Sequence, residues 1–371
     1  MKLISAVILL LIGFGASSIF GAGYTVVDLN TLGGDYSCAY SVNNFGQVVG
    51  DSTTAEGDSY GFVYSGGSMT SLDPLYCGMG INDSGEICGD SEVGFYTHAF
   101  RYSGTTATDL FPSANYRSYT YAINNSGVIV GGSTFSGADT YFNAYKTVGN
   151  TPVSIGTLGG RASFALGINN AGDIVGHSQY TTLSGYSHAF VYIDGQMIDM
   201  GTLGGVGGEA CGINENRHIV GSSSDADSGR SHAFLYIDGF SNGQMNGSLI
   251  DLGASGAEVS IGCAINNSDQ VVGAFVTQSE NVDVEHAFLY ENGIRYDLND
   301  LIDPSSGWIL NRATDINDDG LIVGFGLNPQ GESHAFMLTK NSQDPPSTVP
   351  EPETIMLLFC AIIAIGKYKV F

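Results

Sequence analysis

Seven copies of one short pattern divide this chain, and they constrain its fold more than any other feature. Each copy is an apolar residue, an Asn, two turn-forming residues, often a Gly, and an apolar pair that closes on Gly. They read VNNFGQVVG, INDSGEICG, INNSGVIVG, INNAGDIVG, INENRHIVG, INNSDQVVG and INDDGLIVG. The repeated asparagines are Asn43, Asn82, Asn124, Asn169, Asn214, Asn266 and Asn317, at intervals of 39, 42, 45, 45, 52 and 51 residues. Asn and Asp side chains bond their own backbone in tight turns, and Gly accepts the positive φ such turns require. Each copy therefore reads as strand, turn, strand. Small residues alternate with bulky ones before each Asn, as in Tyr119 to Ile123, which suits an inner strand packed closely on both faces.

A third strand follows in every unit, as YGFVY, HAFRY, NAYKT, HAFVY, HAFLY, HAFLY and HAFML. A fourth follows in six units, as MTSLD, ATDLF, PVSIG, MIDMG, LIDLG and RYDLN. The seventh unit lacks one, while Tyr24 to Leu29 forms an orphan strand at the start. The count predicts an all-β fold over residues 24–340: a seven-bladed β-propeller of four-stranded blades, closed by the N-terminal strand. Four strands in ~40–50 residues is a propeller period. An open β-solenoid is the rival, since it needs no borrowed strand.

The unit resembles the HAF-repeat extracellular proteins, with their DLGTLGG…IN…G.IVG…HAFLY pattern. The fullest copies here are IGTLGG at 155–160 and DMGTLGG at 199–205, and five units carry His-Ala-Phe. The resemblance spans about residues 24–340. It implies an exported repeat protein, and it brings no catalytic residues with it.

Both ends read as addresses rather than fold. Residues 1–23 have one Lys, an apolar run and a small-residue exit, the layout of a cleavable secretory signal, with a permanent anchor as the alternative. Residues 341–348 form a polar, Pro-rich linker. Residues 349–371 carry Val349-Pro350-Glu351-Pro352, an apolar run from Ile355 to Ile365, and Lys367 and Lys369. That tail resembles a PEP-CTERM sorting signal, although it is Lys-based and ends on Val370-Phe371; a plain membrane anchor is the alternative. The resemblance implies signal peptidase and exosortase as partners during export. It also implies transient membrane insertion of the C-terminal segment as a helix, and a final location at the cell surface or outside the cell.

With 37 acidic and 12 basic residues the chain has a formal net charge of −25. Nucleic acid is excluded as a partner, because phosphate binding needs clustered Lys and Arg. Nothing in the sequence marks a cofactor. The recurrent His98, His188, His232, His286 and His334 sit at equivalent places in different units. They are too far apart to share a metal ion, so each is expected to tie its blade to a neighbouring loop. Asp315, Asn317 and Asp319 match the first half of a calcium loop, but Gly326 stands where the bidentate Glu belongs. Cys38, Cys77, Cys88, Cys211 and Cys263 fit no zinc spacing and read as small buried hydrophobes, with Cys38 and Cys77 the pair to test for a disulfide.

No nucleophile–base–orienter set emerges, so no catalytic residue is assigned; Trp308, His177 and His218 break the repeat but are scattered in sequence. The loops between second and third strands vary most. They carry Tyr60, Tyr96, Tyr141, Tyr180 and Tyr186 among hydroxyls and acids, a candidate ligand face for sugars or a surface protein. The expected function is a non-enzymatic surface or matrix scaffold or binding module, with exopolysaccharide or a surface protein as candidate partners. The alternative is an extracellular carbohydrate-active hydrolase or lyase.

Overall fold

The computed structural model describes residues 23–113, 117–135, 140–181, 185–237, 239–241, 244–253, 259–279 and 282–341. Residues 1–22, on which the expected secretory signal falls, and residues 342–371, which carry the expected sorting tail and its apolar run, lie outside the described residues. Among those described, the fold is all-β with two short 3₁₀ turns, and no helix is long and apolar enough to cross a membrane.

Each repeat folds into a meander of antiparallel strands. In the fourth unit these are Ser163–Ile168, Ile174–Gln179, Ser187–Ile193 and Gln196–Asp199, hydrogen-bonded in that order. Five such four-stranded sheets are separate, and the fifth unit inserts a small ribbon, Phe240–Ser241 with Gln244–Met245, before its last strand. The remaining strands form one eight-stranded sheet. There Tyr24–Asp28 pairs antiparallel with Ser333–Lys340, from Tyr24 opposite Lys340 to Asp28 opposite Phe336. A single parallel bridge, Tyr36 to Ser333, joins that set to the strands of the first unit.

The sequence pattern has a local cause at each position. In the turn, Asn43 Oδ1 accepts from the backbone N–H groups of Phe45 and Gln47, so the side chain satisfies donors the strands cannot reach. Its Nδ2 donates to the backbone carbonyl of Asn82 in the next unit. The same bond runs from Asn82 to Asn124, to Asn169, to Asn214, to Asn266 and to Asn317, and from Asn317 back to Asn43, at 3.0–3.2 Å. A second course of bonds links the next residues, from the Asn44 backbone to Asp83 and so on to Asp318, which donates to Asn44 Oδ1.

Every first strand also carries a β-bulge two to four residues before its Asn, seen as a register shift at Ala39/Ser41, Gly78/Gly80, Thr120/Ala122, Ala165/Gly167, Ala210/Gly212, Gly262/Ala264 and Ala313/Asp315. A bulge leaves one residue unpaired and bends its strand. It also explains the closing Gly of each copy: a Cβ on Gly176 would stand 2.0 Å from the Phe164 carbonyl, and one on Gly324 2.0 Å from the Arg312 carbonyl.

The His-Ala-Phe motif is equally specific. The Phe fills an apolar cluster between facing sheets: Phe190, Phe234, Phe288 and Phe336 are fully buried. The Ala is fully buried, and its N–H donates to a hydroxyl on the next unit's first strand, as Ala99 does to Ser118 and Ala335 to Ser37. The His corrects one expectation. It does not reach a neighbouring loop but its own sheet's outer strand: His98 pairs with Asp109, His188 with Asp199, His232 with Asp251 and His286 with Asp297, at 2.7–2.9 Å. His334 finds its carboxylate on Asp28, 3.0 Å away on the N-terminal strand.

Candidate functional site

The first strands surround an axial space. At the Asn turns, a cavity of about 200 Å³ is lined by Asn43 and its counterparts. Beneath it lies a larger cavity of about 530 Å³, lined by the bulge residues Tyr40, Met79, Tyr121, Leu166, Cys211, Cys263 and Thr314 together with Arg312 and Asp315. A bulge turns its unpaired residue away from the ladder, so seven equivalent positions converge there, carrying five residue types.

The repeat is most broken at two positions beyond this. Five residues before the Asn stand Cys38, Cys77, Tyr119, Phe164, Glu209, Ile261 and Arg312. Directly after the closing Gly stand Asp51, Asp90, Gly132, His177, Ser222, Ala274 and Phe325. These two layers are adjacent in the ladder: Cys38 opposes Asp51, Cys77 opposes Asp90, and Phe164 opposes His177. A site that serves one ligand must be asymmetric, and here the asymmetry is concentrated.

One arc is aromatic. Tyr119 leans on Phe142 at 5.6 Å, Phe142 stacks on Phe164 at 5.1 Å, and Phe164 stacks on His177 at 5.3 Å with planes 8° apart. Such pairs contribute ~0.5–1.5 kcal/mol each beyond their buried area. Gly132 makes the arc fit, since a Cβ there would lie 2.4 Å from the Phe164 ring. All four rings are half-buried. Burial lowers the His177 pKa from its ordinary value, with Glu209 opposing the shift, so the ring is neutral at pH 7.

Asp51, Asp90 and Glu209 put three carboxylates in the rest of the rim, and Asp315 lines the cavity beside it. Asp90 is pushed up to about 7 by burial, although the N–H and hydroxyl of Thr120 both donate to its Oδ1. Burial raises Asp51 in the same way, with the Tyr40 hydroxyl beside it. Asp315 is pushed up to about 6 by burial while accepting from Ser41 Oγ and the Val42 and Ile316 N–H groups. Arg312 is occupied by Glu285.

These contacts place the residues singled out from sequence. Of the calcium candidates, Asp315 clasps the first unit, Asn317 joins the asparagine course, and the Asp319 N–H donates to Asn317 Oδ1. Among the described residues no three metal-ligating side chains cluster. All five described cysteines are free thiols, Cys38 and Cys77 included. Burial pushes Cys38, Cys77, Cys88 and Cys263 up to about 12, which leaves them protonated and poorly nucleophilic.

The five tyrosines do not converge. Tyr60 and Tyr96 are half-buried in their strands, Tyr141 is engaged by Arg161, and Tyr180 stacks on His188 at 4.1 Å. Tyr186 borders a cavity with rim residues, beside His177 and Glu209. Of the repeat-breaking residues, His177 joins the aromatic arc, His218 pairs with Asp269, and Trp308 packs on Phe336. Tyr119, Phe142, Phe164 and Glu209 escaped sequence reading. For Tyr119, Phe164 and Glu209 the signal is departure from the repeat at a strand position whose neighbours obey it; Phe142 lies in a variable loop and carries no such signal.

Solved structures supply a precedent for the architecture. The β-propeller domain of the trilobed protease from Pyrococcus furiosus superposes with a TM-score of 0.53 at 10% identity, covering 84% of this chain and 98% of that one. The acylaminoacyl peptidase of Pyrococcus horikoshii gives 0.50 at 11% identity, over 83% of this chain and 52% of that one. The fold is a β-propeller. At such low identity the likeness extends to the fold alone. Residues 150–330 match a family described as a protein of unknown function (DUF3466). No curated protein matches the chain in sequence.

Proposed function

We propose that this protein is an exported, surface-associated binding module. In this reading it is a closed seven-bladed propeller that presents the broken-symmetry rim of its axial cavity to extracellular glycan. Closure is supported by the asparagine bonds that return from Asn317 to Asn43 and by the pairing of Tyr24–Asp28 with Ser333–Lys340. The observation that carries the binding reading is the aromatic arc from Tyr119 to His177, set among carboxylates and hydroxyls. Aromatic surface beside polar acceptors suits the alternating apolar and hydroxylated faces of sugars.

A glycan array paired with a hydrolysis screen on the same polysaccharides tests this. Retention without cleavage is the expected result, and turnover of any polymer replaces the module with the hydrolase or lyase alternative. The address rests on the Val349-Pro350-Glu351-Pro352 tail and its exosortase resemblance. Deleting residues 349–371 is expected to release the protein or strand it in the periplasm; unchanged localisation rejects the sorting role.

A further inference from the structure

The aromatic arc ends at a cleft. Between the fourth and fifth units lies a space of about 370 Å³ walled by His177 and Tyr186 on one side and by Glu209 and Ser222 on the other. That is the low end of small-ligand pockets, which run ~300–1,000 Å³. Gly207 and Gly208 form part of the lining, so no side chain from that stretch of the fifth unit's first strand fills the cleft. Phe164 covers one side of the His177 ring, and His177 in turn forms cleft wall. The imidazole makes no hydrogen bond to another described residue and is held neutral by burial.

Charge narrows what the cleft accepts. Glu209 is the one carboxylate in the lining, and no Lys or Arg accompanies it. Its nearest partner is the Ser222 hydroxyl at 3.4 Å, a long and weak bond that leaves acceptor capacity free. A carboxylate with unused lone pairs attracts hydroxyls and, more strongly, a protonated amine. It repels a second carboxylate, and the net charge of −25 adds to that repulsion.

We propose that this cleft is a subsite for one pyranose residue that is neutral or bears an amine, packed against His177 and held through a hydroxyl or ammonium group by Glu209. Uronic acids are excluded from it. The proposal rests on the glycan-binding reading above and adds the location and the charge class of the sugar.

Calorimetric titration of the wild-type protein with three probes is the first arm: a chitosan oligosaccharide, a cello-oligosaccharide and an oligogalacturonate. The expected order is chitosan tightest, cello-oligosaccharide weaker, and oligogalacturonate at least tenfold weaker than either. Equal or tighter binding of the oligogalacturonate overturns the subsite, and this arm needs no variant to fold. In the second arm, Glu209→Gln is expected to weaken the chitosan probe about tenfold, the scale of a charge-assisted hydrogen bond, while changing the neutral probe less than threefold. His177→Ala is expected to weaken both probes, and His177→Phe to restore them. Glycan binding that both Glu209→Gln and His177→Ala leave unchanged overturns the subsite but keeps the binding module. Failure of the wild type to bind any glycan overturns both.

Discussion

Asn317 donates from Nδ2 to the backbone carbonyl of Asn43, 3.1 Å away in space and 274 residues away in sequence. The bond is the same one that Asn43 makes to Asn82 and Asn124 to Asn169, each between neighbouring repeats. The two ends of the repeat region therefore meet through the same chemistry as any two adjacent units. Replacing Asn317 with Ala removes both this bond and the turn cap that its Oδ1 gives Asp319 and Leu321. Buried groups left without partners are expected to cost about 2–3 kcal/mol, read as a lower midpoint in urea unfolding. An unchanged urea midpoint would remove the bond from the stability account.

Asp28 is expected to behave as Asp199 does, although it lies at the opposite end of the chain from its partner. Each carboxylate holds the His of a neighbouring strand and caps a turn two residues on, at Asn30 and Gly201. Asp28→Ala and Asp199→Ala should each destabilise by about 1–3 kcal/mol. Removing residues 24–30 should cost more, because it also exposes the unpaired edge of Ser333–Lys340. Unfolding midpoints that are unchanged by the truncation would mean the strand does not support the fold.

Stability should rise as pH falls from 8 towards 5. Asp90 and Asp315 have pKa values raised by burial to about 7 and about 6, above those of the unfolded chain. The folded state then binds protons more tightly than the unfolded one. The resulting stabilisation is fully present below the unfolded value near ~4 and is lost as pH rises through the two folded values. Asp90→Asn keeps an acceptor for Thr120 but does not titrate, so its melting temperature should vary less between pH 5 and 8 than that of the wild type. Parallel curves for the two proteins would refute the assignment.

The closing Gly of each repeat should tolerate no side chain. Gly176→Ala puts a methyl group 2.0 Å from a bulge-strand carbonyl, so the backbone must shift. The expected cost is about 2–4 kcal/mol, in the range of overpacked cores and broken special positions. Gly172→Ala provides the contrast: its φ of +88° brings strain, but nothing lies within 4 Å of the new Cβ. A loss at Gly176→Ala no larger than at Gly172→Ala would show that crowding does not select Gly at 176.

Local chemistry was legible in the sequence. The turn at Asn169, the strands on either side of it and the orphan segment at Tyr24 follow from Asn and Gly propensities and from counting, since these depend on residues a few positions apart. The second role of that Asn was not legible. Its Nδ2 reaches Asn214, 45 residues on, and only the packing of one sheet against the next brings the two together. The bulge at Ala165/Gly167 is similar: the sequence shows Leu166 between small residues, and only the ladder reveals that it is unpaired and lines the axial cavity.

The candidate site belongs almost wholly to tertiary structure. Tyr119, Phe142, Phe164 and His177 come from a first strand, a loop, another first strand and a second strand, and no local rule links them. The repeat determined where each of these side chains stands on its own sheet. The arrangement of the sheets about one axis decided which of them meet, because it sets equivalent positions of different units beside one another. That is why the histidines of the His-Ala-Phe motif stay apart, each held by its own aspartate, while His177 becomes the wall of a cleft.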